Sequence, residues 1–228
     1  IEKKRLALRD GMPKVANLGP PSSPRTGVIS AALYKFIEDF SDNKKTKYKC
    51  IEDFLKNNYP DIKSLKSGGA IIDYSKDIID ESINAVKKLN SSFLLIQGPP
   101  GAGKTYTSAK IILSLIKDKK KVGINSNSHK AINNLLLKIE ELAAEENFKF
   151  EGFKKSSKEV DKFNGKNIRE SRIELVTKNC LIYAGTAWLF SDARLDQQLD
   201  YVFIDEAGQV SLANSIAIAT ATKNIVLI

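Results

Sequence analysis

The stretch Phe93-Leu94-Leu95-Ile96-Gln97-Gly98-Pro99-Pro100-Gly101-Ala102-Gly103-Lys104-Thr105 decides the fold. An apolar run leads into a glycine-rich turn, and beyond it Ile111, Ile112, Leu115 and Ile116 recur at helical spacing. Strand, turn and helix start in that order make a phosphate cradle. The glycines let backbone N–H groups curl around a polyphosphate, Lys104 reaches its outer oxygens, and the Thr105 hydroxyl can ligate the Mg²⁺ that rides on it. A loop kept only as a tight turn needs glycine but has no use for the adjoining Lys-Thr. The nucleotide-contacting residues of this Walker A loop are therefore Gln97, Gly98, Pro99, Pro100, Gly101, Ala102, Gly103, Lys104 and Thr105, with Tyr106 beside them.

Working outward, Lys121-Val122-Gly123-Ile124-Asn125 has strand character. The turn Ser126-Asn127-Ser128 follows it, then a helix with Ile132, Leu135, Leu136, Ile139 and Leu142 on one face. A strand through 148–153 is expected from the alternation of Phe148, Phe150 and Phe153, with a loop after it. Those aromatics stand among lysines, as in a base-stacking surface, but their period-two spacing favours the apolar face of a strand. Leu181-Ile182-Tyr183-Ala184, Tyr201-Val202-Phe203-Ile204 and the apolar run at 225–228 read as buried strands. Strands alternating with helices predict a parallel sheet wrapped by helices, an α/β fold.

The second of those strands ends in Asp205-Glu206, the partner a phosphate loop needs. Asp205 can hold hydrated Mg²⁺, and Glu206 can orient, or take a proton from, the water that attacks the γ-phosphate. No Asn-Lys-x-Asp guanine reader is present, and Ser67-Gly68-Gly69 lies upstream of the loop and lacks the Gln of a transport-ATPase signature. AAA+ machines also use Gly-Pro-Pro-Gly-x-Gly-Lys-Thr loops, but usually with a shorter interval than that from Thr105 to Asp205.

Upstream, residues 1–27 carry Pro13, Pro20, Pro21 and Pro24 with Gly11, Gly19 and Gly27, an irregular linker pattern. Two short amphipathic helices are expected next, one with Leu33, Phe36, Ile37 and Phe40 at helical spacing, the other with Ile51, Phe54 and Leu55. Ile78, Ile79, Ile83, Val86 and Leu89 mark a further helix leading into the first strand. The chain thus divides into an extension, 1–72, and a nucleotide domain, 73–228. It opens without methionine and closes inside an apolar run, as expected of a piece of something longer. Its 36 Lys and Arg against 27 Asp and Glu give a formal net charge of +9, which suits an anionic partner. Cys50 and Cys180 are isolated thiols, suggesting neither zinc site nor disulfide framework. A reducing cytoplasm fits, and no run approaches the roughly 18 apolar residues of a membrane span.

Residues 97–105 and Asp205-Glu206-Ala207-Gly208-Gln209 together resemble the superfamily 1 helicases, specifically the up-frameshift and senataxin-like branch. Ser126-Asn127-Ser128-His129 resembles its motif Ia, and Ala184-Gly185-Thr186-Ala187 its motif Ic. The resemblance implies that residues 73–228 form a RecA-like P-loop motor domain binding Mg-ATP, with Lys104, Glu206 and Gln209 catalytic and Thr105 and Asp205 on the metal. It also implies that Ser126, Asn127, Ser128, His129, Gly185 and Thr186 lie along single-stranded DNA or RNA. Trp188 is a neighbouring candidate, with burial in the core the expectation.

A second RecA-like domain would supply arginine fingers, so the isolated chain is expected to turn over more slowly than about once per second. Ser82 stands where the family places an adenine-reading Gln. The resemblance extends to bacterial proteins in which such a helicase follows a RecB-like nuclease segment, a fused partner that residues 1–30 would adjoin. The alternatives are an AAA+ remodelling ATPase and a non-hydrolysing nucleic-acid adaptor within a nuclease assembly.

Overall fold

Apolar runs bounded by turn residues become strands of one sheet in the computed structural model, which describes residues 26–42, 45–156 and 159–228. Among the described residues these are β1 (Phe93–Leu95), β2 (Val122–Asn125), β3 (Glu151–Lys154), β4 (Ile168–Glu170), β5 (Cys180–Gly185), β6 (Leu199–Ile204) and β7 (Thr222–Leu227). They lie in the order β1-β7-β6-β2-β5-β3-β4, and every neighbouring pair is parallel. This is the α/β, RecA-like parallel sheet expected of the sequence.

The period of two sorts side chains to the two faces. On β6, Tyr201 and Phe203 join one core and Val202 and Ile204 the other. The first face is covered by α3 (Ile78–Lys87), α4 (Lys104–Lys117) and α5 (His129–Glu145). Ile111, Ile112, Ile132 and Leu136 are buried there against Ile124, Ile182 and Val226. The second face is covered by α1 (Gly27–Asp42), α2 (Lys49–Leu55), α6 (Ala187–Phe190) and α7 (Leu212–Ala219). There Phe36, Tyr48, Ile51, Phe190 and Ile218 meet Val202, Ile204 and Ile225. The helices that precede residue 73 therefore share a core with the sheet. Both cysteines are buried and free.

Several expectations are corrected. The buried face of α1 is Ile29, Ala32 and Phe36, while Ile37 and Phe40 are exposed, because the helix has apolar residues on several sides and packing against α7 selects one. The strand expected over 148–153 begins at Glu151. Phe148 and Phe150 stack on each other before it, ring centroids 6.1 Å apart, and Phe153 is buried against Tyr183. Strand β4 falls where a loop was expected. Trp188 is 39% exposed rather than buried. The linker at 1–27 lies, up to residue 25, outside the described residues.

Candidate nucleotide and nucleic-acid site

Parallel strands all deliver their C-terminal ends to one edge, and there the predicted motifs meet. The pairing of β1 with β7 runs one residue past the strand, Ile96 N–H donating to the Leu227 carbonyl at 2.8 Å, before the chain enters the loop. Gly101 (φ +79°) and Gly103 (φ +78°) turn it through left-handed backbone that a side chain would strain. Gly103 caps α4, so Lys104 and Thr105 open the helix. Lys104 Nζ donates to the carbonyls of Gly98 (2.6 Å) and Pro99 (3.0 Å), which places the ammonium inside the loop's own curve. A polyphosphate oxygen carries more charge than a carbonyl, so this arrangement fits a phosphate that takes over the lysine. Gln97, Pro99, Pro100, Gly101, Ala102, Gly103 and Thr105 are exposed, and Gly98 is half-buried. Tyr106 is 41% exposed, with Lys110 Nζ 5.7 Å from its ring centroid.

Two strands from β1, β6 ends at the partner acid. Asp205 N–H donates to the Asn125 carbonyl of β2 at 2.8 Å, and the Asp205 carboxylate accepts the Glu206 N–H at 3.1 Å. Burial raises the Asp205 pKa above the usual carboxylate value and the charge of Glu206 adds to this, while the Glu206 N–H and Lys104 oppose it. A carboxyl held this way suits a site where a dication arrives with its ligand.

With its pKa higher folded than unfolded, Asp205 contributes stability that is fully present below the unfolded value and lost as pH rises through the folded one. At neutral pH the ionised carboxylate therefore opposes folding. Asp205→Asn is expected to melt higher than the parent without ligand at neutral pH, the difference vanishing under acid conditions, and to lose Mg²⁺-dependent nucleotide binding. Thermal scans with and without Mg-nucleotide check both halves, and a lower ligand-free melting point would contradict the account.

Glu206 itself has left-handed backbone, φ +54° and ψ +42°. It opens a single 3₁₀ turn closed by Gln209 N–H donating to the Glu206 carbonyl at 2.8 Å, and Ala207 N–H is tied to the Ile228 carbonyl at 2.8 Å. Glu206 and Gln209 are both exposed on this edge.

Beside them β2 ends in the turn at 126–128. Ser126 is buried and its Oγ accepts the Ser128 N–H at 3.2 Å; Ser128 caps α5 through the Ala131 N–H at 3.3 Å, and His129 begins that helix. Asn127 is exposed, its Nδ2 donating to the Gln209 carbonyl at 2.8 Å. One strand further, β5 ends at buried Gly185 and half-buried Thr186, and Asn125 Nδ2 reaches the Gly185 carbonyl at 3.2 Å. The expected nucleotide and polymer residues thus share one edge. Sequence reasoning missed Asn125 and the bond from Asn127 to Gln209, since both depend on which strands become neighbours.

A cavity of about 890 Å³ opens beside the loop, with Ile71, Ile72, Tyr74, Ile78, Ser82 and Leu95 among its walls. Ser82 is buried and its hydroxyl donates to the Ile78 carbonyl at 2.6 Å. The wall is mostly apolar, of a size for a nucleoside.

Parts of the chain are similar to known proteins. Residues 73–154 match a family described as an AAA domain. The chain is 39% identical over 74 residues to the DNA replication ATP-dependent helicase/nuclease dna2 of Schizosaccharomyces pombe, 31% of this chain and 5% of that protein. It is 30% identical over 152 residues to the ATP-dependent helicase NAM7 of Saccharomyces cerevisiae, 57% of this chain and 15% of that one. Among solved structures, the UvsW helicase of bacteriophage T4 superposes with a TM-score of 0.44 at 11% identity, covering 87% of this chain and 69% of that one. The chain therefore spans a small part of the curated relatives it matches. No helix among the described residues is long and apolar enough to cross a membrane.

Proposed function

We propose that this chain is the first RecA-like domain of a superfamily 1 helicase of the up-frameshift-like branch, and so half of an ATP-driven motor on single-stranded DNA or RNA. The observation that carries the reading is the single edge shared by Lys104, Asp205-Glu206 and the turn at 126–128.

Mg-ATP, when bound, supplies the phosphoanhydride to be cleaved and a dication that offsets its charge. Lys104 would leave the Gly98 and Pro99 carbonyls to hold phosphate oxygens, and the Thr105 hydroxyl and Asp205 carboxylate would hold the dication. Glu206 orients a water and takes its proton as the water oxygen bonds to the γ-phosphorus and the bond to the ADP oxygen breaks. Gln209, in the same turn, senses that phosphate. The turn at 126–128 and Gly185-Thr186 face the sugar-phosphate backbone of a strand, where contacts carry no sequence code. A second RecA-like domain closes the cleft and supplies the remaining positive charge, and an attached nuclease, as in the name of the fission yeast relative, is a fitting partner. The helicase relatives favour this reading over protein remodelling by an AAA+ ring or a silent adaptor.

The test is movement. The full-length protein is expected to strip streptavidin from one end of a biotinylated single-stranded oligonucleotide only when ATP and Mg²⁺ are present. Failure with both DNA and RNA, at either end, would overturn the proposal.

A further inference from the structure

Left-handed backbone is disfavoured for a residue with a side chain and persists only where the surroundings enforce it. At Glu206 the enforcement comes from its own turn, from β7 through the bond between Ala207 and Ile228, and from β2 through Asn127. The first two are backbone bonds that survive any substitution. The third hangs on one exposed side chain, whose Nδ2 meets the Gln209 carbonyl at the closing end of the turn.

Asn127 is well placed to brace a neighbour, since it projects from a fixed corner. Buried Ser126 precedes it, bonded through Oγ to the Ser128 N–H, and Ser128 is locked as the cap of α5. Across the gap, β2 and β6 are adjacent strands in register, Asn125 opposite Ile204, so the two turns start from one rigid platform. One of the two donor hydrogens of the Asn127 amide is thus engaged inside the protein.

We infer that Asn127 is a positioning residue for Glu206: its amide fixes the turn from which that carboxylate acts, and it ties the geometry of the carboxylate to whatever occupies the 126–128 turn. This rests on the role proposed above for Glu206. If a strand keeps the bond, it firms the turn; if a strand takes the amide for a phosphate, it loosens the turn. Either way, occupation of one turn and the setting of the other are thermodynamically linked.

The test uses full-length Asn127→Ala and Asn127→Asp, the second nearly isosteric but presenting an acceptor to the Gln209 carbonyl. At saturating single strand, kcat is expected to fall about 10- to 100-fold in both, Asp lower than Ala, with KM for ATP within about twofold of wild type. Hydrogen exchange, read without nucleotide or polymer, is expected to quicken at the amides of Gln209 and Val210 and to stay unchanged in β6 and α5, which a general loss of stability would not produce. Unchanged exchange at those two amides overturns the inference, as does a kcat within about twofold of wild type. An inactive wild-type protein would instead refute the role of Glu206, and the exchange result would still decide whether Asn127 braces the turn.

Discussion

Lys104→Ala is expected to lower single-strand-stimulated ATP hydrolysis by about 10³-fold, measured as phosphate release by the full-length protein. The size follows from two losses at one residue. With nucleotide bound, the variant lacks the cation that meets the charge growing on the phosphate oxygens in the transition state. Without nucleotide, it leaves the carbonyls of Gly98 and Pro99 without the donor they share. The same cation also contacts the phosphates of bound ATP before reaction, so KM should rise while kcat falls. Fold and melting temperature should barely move, since the loop lies on the surface and α4 is anchored by Ile111, Ile112 and Leu115. Activity within tenfold of wild type would remove Lys104 from the mechanism.

The second large effect is Glu206→Gln, expected to reduce hydrolysis by about 10²- to 10⁴-fold, the span usual for a positioned acid or base. Glutamine keeps the length of the side chain and the left-handed backbone but accepts no proton. Binding should therefore survive where turnover does not, and the variant is expected to hold ATP and a single strand together as a stable complex. Filter retention of labelled ATP and fluorescence anisotropy of a labelled strand measure the two halves. Normal turnover would show that Glu206 is spectator to the chemistry, and would leave any bracing by Asn127 without a catalytic consequence.

These effects also grade one another. In the proposed mechanism Lys104 touches the phosphates, Glu206 touches the water, and Asn127 acts on Glu206 only through the Gln209 carbonyl. The loss at Asn127 should therefore be the smallest of the three, and Asn127→Ala added to Glu206→Gln should cost little more, because the brace has nothing left to set.

The loop at 97–105 was legible in the sequence because the chemistry demands contiguous residues of unusual type, and its flanks declare their periods without ambiguity. The same holds for β6, where four apolar residues run straight into Asp205-Glu206. Elsewhere the local pattern is silent. Strand β4 is Ile168-Arg169-Glu170, with one apolar residue and a partner on one side alone, so no alternation marks it. Helix α1 has apolar residues on more than one side, and only contact with α7 selects Ile29, Ala32 and Phe36 for burial. The left-handed setting of Glu206 lies at a residue whose type gives no hint of it. The bond between Asn127 and Gln209 joins positions 82 apart, brought together by a strand order that propensity does not encode. What chemistry writes into adjacent residues can be read from the chain; what packing brings together needs the sheet.

The most direct test of the account is the ATPase rate of the full-length protein with and without single-stranded DNA and RNA, under otherwise constant salt. A motor whose polymer turn and catalytic turn share an edge should hydrolyse ATP at least about tenfold faster with one of the two polymers, and Lys104→Ala should abolish the increase. Hydrolysis that is brisk but indifferent to both polymers would contradict the assignment of this edge to a nucleic-acid track.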